Sequence, residues 1–201
     1  MTSIPSKEEK MPFSYSNQLS TIIGFAEQQN PESILDIGIG MGQYGFLLRT
    51  NLENVNLFEI DGSNARQRSR DQWKVRIDGI EGFAGYITPV HEYSYTNLFI
   101  GEALKLLPAL GDKIYDLVLA IDILEHFDKE QGVIFLRECR RVCKGSVLVS
   151  TPKEFIEQEV LANPLEDHRS HWTEEDLKLC GFDHFLPNPL SLIAIANNKS
   201  E

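Results

Sequence analysis

The chain has 201 residues, enough for one domain with a substantial core, and its apolar and charged fractions of 42% and 24% are those of an ordinary globular protein. A formal net charge of −11 argues against a nucleic-acid partner, because phosphate binding needs a basic face. Three cysteines without a C-x-x-C pair suggest neither a disulfide framework nor a zinc site, and a polar N-terminus with no run of membrane-span length points to a cytoplasmic protein without a membrane partner.

Residues 1–12 are polar, carry Pro5 and Pro12, and are expected to form a loose arm. Leu19, Ile22, Ile23 and Ala26 recur at helical spacing, which predicts a helix over 17–29 that Asn30-Pro31 ends. The stretch 33–48, SILDIGIGMGQYGFLL, then organises the chain. Ile34-Leu35-Asp36-Ile37 has the length of a buried strand, Gly38, Gly40 and Gly42 follow at alternate positions, and Tyr44, Phe46, Leu47 and Leu48 begin a helix over 43–48. Glycine lets a ligand lie against the backbone N–H groups at a helix start. There is no Gly-Lys-Ser/Thr, which excludes a Walker-type phosphate loop, and the spacing is not that of the dinucleotide fingerprint.

Two runs compete for the second strand. Residues 55–60 end at Asp61-Gly62, and 75–80 end at Glu81-Gly82. The choice decides which acid sits where a ribose hydroxyl is gripped in doubly wound folds. Asp61 lies 19 residues after Gly42 and Glu81 lies 39 after it, which favours Asp61. The next strand, 97–100, ends at Gly101-Glu102, and a single βα unit fits the distance from Glu81 better, which favours Glu81. We take Glu81, with 51–72 as an insertion and 55–60 as a short extra strand or part of a lid.

Residues 104–108 predict a short helical turn, 115–121 a buried fourth strand, and 129–142 a helix with Val133, Leu136, Cys139, Arg140 and Cys143 spaced in turns. Cys139 and Cys143 then read as two buried thiols. A fifth strand spans 147–149, and Thr151-Pro152 closes it. Residues 153–172 show no period and are too long for a simple connection, which is typical of functional loops. Thr173 is a helix N-cap with Asp176 in a capping-box position, Gly181 stops that helix, and Pro187-Asn188-Pro189 joins antiparallel strands at 183–186 and 190–196. Strands alternating with helices give a three-layer α/β sandwich.

The ordered marks LDIGIGMG, G-I-E, IGEA, YDLVLAIDILEHF and the terminal hairpin span residues 15–196, and with them the chain resembles the class I S-adenosylmethionine-dependent methyltransferases, in a small-molecule-type subgroup. The resemblance implies a Rossmann-like three-layer α/β/α sandwich in a single domain over 1–201, with a mostly parallel seven-stranded sheet and an antiparallel C-terminal hairpin. It implies S-adenosylmethionine as cofactor and methyl transfer to a small-molecule nucleophile by in-line displacement. Gly38, Gly40 and Gly42 would admit the amino-acid part of the cofactor, and Asp36 would orient their loop and favour the ammonium. Glu81 would accept from the ribose, Glu102 and the Ala103 backbone would meet the adenine, and Asp122 would border the methionine moiety. Glu102 departs from the aspartate commonest at its position.

A base is needed only if the acceptor must lose a proton, and His126 and His168 are the catalytic candidates, with His171 nearby. His168 and His171 alone do not make a metal site, because spacing sets no third ligand, and no metal is expected. Gln158, Asn163, His168 and Trp172 look like substrate-side positions of the same subgroup. The Asn/Asp-Pro-Pro-Tyr motif of base methylation is absent after the fourth strand, which points away from DNA. The expected partner is a small-molecule substrate, with a homo-oligomer left open. Alternatives are a nucleotide-sugar or NAD enzyme on a Rossmann sheet, or a non-catalytic S-adenosylmethionine-binding or regulatory module on the same fold.

Overall fold

A computed structural model describes residues 16–198, apart from the Val55 side chain, so the arm expected over 1–12 lies outside the described residues. Helix α1, Leu19–Gln29, ends where Asn30 turns left-handed with φ 45°, a conformation asparagine tolerates. Strand β1, Ser33–Ile37, is buried at every position and leads through the glycine turn into α2, Gln43–Glu53. Strands β2, Phe58–Asp61, and β3, Asn64–Gln67, follow, then β4, Arg76–Glu81, α3, Pro89–Ser94, and β5, Asn97–Ile100. The chain continues through α4, Ala103–Leu106, β6, Tyr115–Ile121, α5, Lys129–Val142, and β7, Cys143–Pro152. Helix α6, Glu174–Leu179, and strands β8, His184–Leu186, and β9, Ser191–Asn197, complete it.

Seven strands form one sheet in the order β5-β4-β1-β6-β7-β9-β8. Its pairs are parallel except those of β9, which runs antiparallel to both β7 and β8. The predicted Rossmann-like sandwich is therefore the observed fold. Strand order reverses between β1 and β6, and in open α/β sheets ligands collect outside the strand ends at such a point.

Alternation along β6 divides the core. Leu117, Leu119 and Ile121 face a cluster with Ile22, Ile23 and Ala26 of α1 and Leu48 of α2. Val118 and Ala120 face the other cluster, with Phe135, Leu136, Cys139 and Val142 of α5 and Leu177 of α6. Each sheet face is thus closed by helices, which is why β6 reads as a nearly unbroken apolar run.

Three differences from the sequence reading have physical causes. Helix α2 does not stop at Leu48: Arg49 and Glu53, both fully buried, continue it as an ion pair at 3.3 Å. Arg49 also donates to Ser94 O and Val75 O, and Glu53 Oε1 accepts Val75 N–H at 2.6 Å, so these charges fasten the helix to its neighbours. Cys143 is the first residue of β7 and not part of α5, while Val133 is 49% exposed; β7 starts earlier than the 147–149 core because the chain enters the sheet directly from the helix. Of the run 55–60, only 58–60 with Asp61 are extended, in an exposed two-stranded hairpin with β3 outside the main sheet. Strand β4, paired in register with β1, takes the place beside it.

Candidate active site

The glycine turn is set by its own backbone. Gly38, Gly40 and Gly42 have φ of 74°, 49° and 78°, which side chains rarely adopt. A Cβ on Gly38 would meet Ile123 at 2.9 Å, whereas one on Gly40 would meet nothing within 4 Å, because Gly40 faces an open cavity. The turn is held from both sides. Glu81, at the tip of β4, accepts Gly40 N–H at 2.9 Å and Phe83 N–H at 2.8 Å on its two carboxylate oxygens. Thr88 N–H donates to His91 Nδ1, so the buried His91 ring carries its proton on Nε2 and donates it to Gly40 O at 2.9 Å.

Asp36 lies beneath the turn, 2% exposed, and accepts Tyr95 Oη–H at 2.6 Å. Burial pushes its carboxyl up to about 6, against the Tyr95 hydrogen bond and with help from the Glu81 charge. Asp122 follows β6 with φ 48°, rare for a residue with a side chain. Ser150 Oγ donates to its Oδ1 at 2.8 Å and Gln18 Nε2 to its Oδ2 at 2.6 Å, which fix the carboxylate at the sheet's switch point. Glu102 stands at the first position before α4 and is ion-paired to Lys105, with buried Ala103 next to it.

A cavity of about 900 Å³ opens along these strand ends. Gly38, Gly40, Glu81, Glu102, Ala103 and Asp122 line one part of it, and His126, His168, Glu125 and Glu166 line the rest. Of the cofactor-side residues singled out in sequence, Asp36 and Gly42 do not line it: Asp36 is bonded to Tyr95 beneath the turn, and Gly42 lies against the His91 ring. Asp61 is exposed on the β2–β3 hairpin, away from the cavity.

The segment 153–172 packs over the opening and is fastened at several points. Arg169 and Ser170 N–H donate to Glu125 O at 2.8 and 3.1 Å, Gln158 Nε2 donates to Glu166 O at 2.8 Å, and Trp172, 1% exposed, seats its ring against Gly132 of α5. Gln158 and His168 line the cavity. Asn163 braces its own turn by accepting Leu165 N–H, and Trp172 belongs to the core, so neither lines it.

Burial dominates the electrostatics of this half. It pushes the His126 imidazole down to about 4, with the His168 ring beside it adding to the effect, so His126 is neutral at physiological pH. It pushes Glu166 up to about 7, with the Glu81 charge contributing, and Glu125 well above the carboxylate range. Sequence spacing did not point to Tyr95, His91, Gln18 or Glu166, which reach the site from separate elements.

No curated protein matches the chain. Among solved structures, a protein of Pyrococcus horikoshii shares the fold at TM-score 0.60 and 18% identity, over 90% of this chain and 88% of that one. Magnesium protoporphyrin IX methyltransferase of Synechocystis, solved with bound S-adenosylmethionine, matches at TM-score 0.60 and 14% identity, over 91% and 78% of the two chains. The methyltransferase domain of a bacterial Hen1 protein matches at TM-score 0.57 and 16% identity, over 92% and 98%. The family model described as a methyltransferase domain matches residues 35–149, more than half of the chain and the span from β1 through the core of β7. The chain belongs to this methyltransferase domain family and is an S-adenosylmethionine-dependent methyltransferase.

Proposed function

We propose that the two parts of the cavity divide the work, the strand-tip part holding S-adenosylmethionine and the part under 153–172 holding a small-molecule acceptor. The observation that carries this is the single cavity of about 900 Å³ lined by both sets of residues, a volume within the usual range for small-ligand sites. The open space above Gly40 suits close approach of a ligand to the turn. Glu81 would accept from the ribose hydroxyls, Glu102 and the Ala103 backbone would meet the adenine, and Asp36 and Asp122 would favour the cationic methionine end. The cofactor supplies an already electrophilic methyl group, so the protein's task is alignment. His126 and His168 face the acceptor part, where a neutral imidazole can take a proton from an acceptor that must lose one.

The acidic charge and the acid-lined cavity support an acceptor that is not nucleic acid. Free Cys139, Cys143 and Cys180 fit a reducing cytoplasm, and no helix among the described residues is long and apolar enough to cross a membrane.

A thermal-shift series tests the reading. S-adenosylhomocysteine at 100 times its Kd should stabilise the chain by about 2.7 kcal/mol, or roughly 5–10 °C for a chain of this size. NAD at the same concentration should leave the melting temperature unchanged; a larger shift with NAD, and none with the homocysteine product, would contradict it.

A further inference from the structure

Glu125, His126 and His168 each offer a donor atom, and these atoms all lie within 4.8 Å of one another. Glu125 and His126 come from the turn after β6, and His168 comes from a segment more than forty residues on that folds back onto Glu125 O. Glu125 is 3% exposed, and its Oε2 has no hydrogen-bond partner. A buried carboxyl oxygen without a protein partner carries a desolvation cost that a ligand bound at that oxygen would recover.

Both imidazoles touch backbone carbonyls through one ring nitrogen. His168 Nδ1 contacts Ile156 O at 2.5 Å and His126 Nδ1 contacts Asp167 O at 3.3 Å. A carbonyl only accepts, so the close contact puts the His168 proton on Nδ1 and leaves its Nε2 a lone pair, and neutral His126 likewise has a lone pair on one ring nitrogen. One ring nitrogen donating to backbone while the other stays open is how metal-ligating histidines are held. Glu166 Oε2 lies 3.7 Å from His126 Nε2, close enough to serve as a neighbouring acceptor for a bound water. The pair adjacent in sequence does not converge in this way: exposed His171 is turned aside, with Nε2 at 2.7 Å from Lys153 O.

We propose that Glu125, His126 and His168 form a binding site for a divalent first-row transition-metal ion. Two imidazoles and one carboxylate suit Mn²⁺, Fe²⁺, Co²⁺ or Zn²⁺, whereas Ca²⁺ and Mg²⁺ prefer all-oxygen sets. All three residues line the cavity, so coordination positions the protein leaves open face it. An acceptor oxygen can fill one of them, a consequence that rests on the placement of the acceptor proposed above; with the ion bound the two imidazoles are its ligands, and the base role given to them belongs to the metal-free chain.

The test uses the full chain after chelator treatment, titrated with Mn²⁺ and read by loss of the free-ion electron paramagnetic resonance signal, with Zn²⁺ followed by calorimetry in parallel. The expected result is one ion per chain. His168→Ala, at a half-exposed loop position, and the shape-conserving Glu125→Gln should each weaken Mn²⁺ binding by at least the roughly 10–100-fold that loss of a supporting shell costs. Absence of binding for both ions at millimolar concentration overturns the site, as does Mn²⁺ binding unchanged in both variants. S-adenosylhomocysteine affinity is measured on the same samples, so failure of the cofactor reading and failure of the metal reading are separate results.

Discussion

At the scale of single residues, the groups beneath the glycine turn set a pH dependence. Asp36 is buried against Tyr95, and its carboxyl is pushed up to about 6. The ammonium of a bound cofactor stays charged across this range, so if Asp36 favours that end, as proposed, affinity follows its ionisation. Cofactor affinity should rise from pH 5 to 7, by at most about tenfold per unit below 6, and then level off. Calorimetry on Asp36→Asn should lose the step, while Glu166→Gln, which removes a carboxyl pushed up to about 7, should keep it. For the free chain the sign is opposite: Asp36 holds its proton more tightly when folded, so its contribution to stability is lost as pH rises from about 4 toward 6. Asp36, the three glycines and Asp122 were legible in sequence because they are local to strand ends. Tyr95, His91 and Gln18 were not, because each reaches its partner across 51 to 104 residues of chain and no local pattern records that.

At the scale of elements, periodicity located most strands and helices and misjudged ends where polar residues are buried. Arg49 and Glu53 look like the polar close of α2, yet they are its anchor. Burial lowers the Arg49 guanidinium to about 10 against the pull of Glu53, and Trp73 lies 4.5 Å from its charge centre. Glu53→Ala would leave a buried guanidinium without its counter-ion and Val75 N–H without its acceptor. Chemical denaturation should show a loss of about 3–5 kcal/mol, whereas loss below about 1 kcal/mol would mean that Arg49 is compensated by its carbonyl partners alone. The segment 153–172 was read as functional from its length, but its fastening through Glu125 O and the Trp172–Gly132 contact has no sequence period, since it joins elements far apart in the chain.

At the scale of the whole molecule, topology decides which acid faces the cavity. The spacing from the glycine turn favours Asp61, but the β2–β3 hairpin stands outside the sheet as an inserted unit, and β4 takes the place next to β1. Glu81 therefore ends at the rim of the cavity, with one carboxylate oxygen on Gly40 N–H of the turn that lines it and the other on Phe83 N–H of its own following loop. The three-layer order was readable from alternating strands and helices, while the convergence of Glu125, His126 and His168 depends on how a long segment folds back over the sheet. The most direct measurement is calorimetric titration of S-adenosylhomocysteine into the wild-type chain, Glu81→Ala and Asp61→Ala. One site per chain is expected, weakened by about 1.5–3 kcal/mol in Glu81→Ala and unchanged in Asp61→Ala. Absence of binding to the wild type at millimolar ligand, or loss of binding in Asp61→Ala with Glu81→Ala unaffected, would contradict the account.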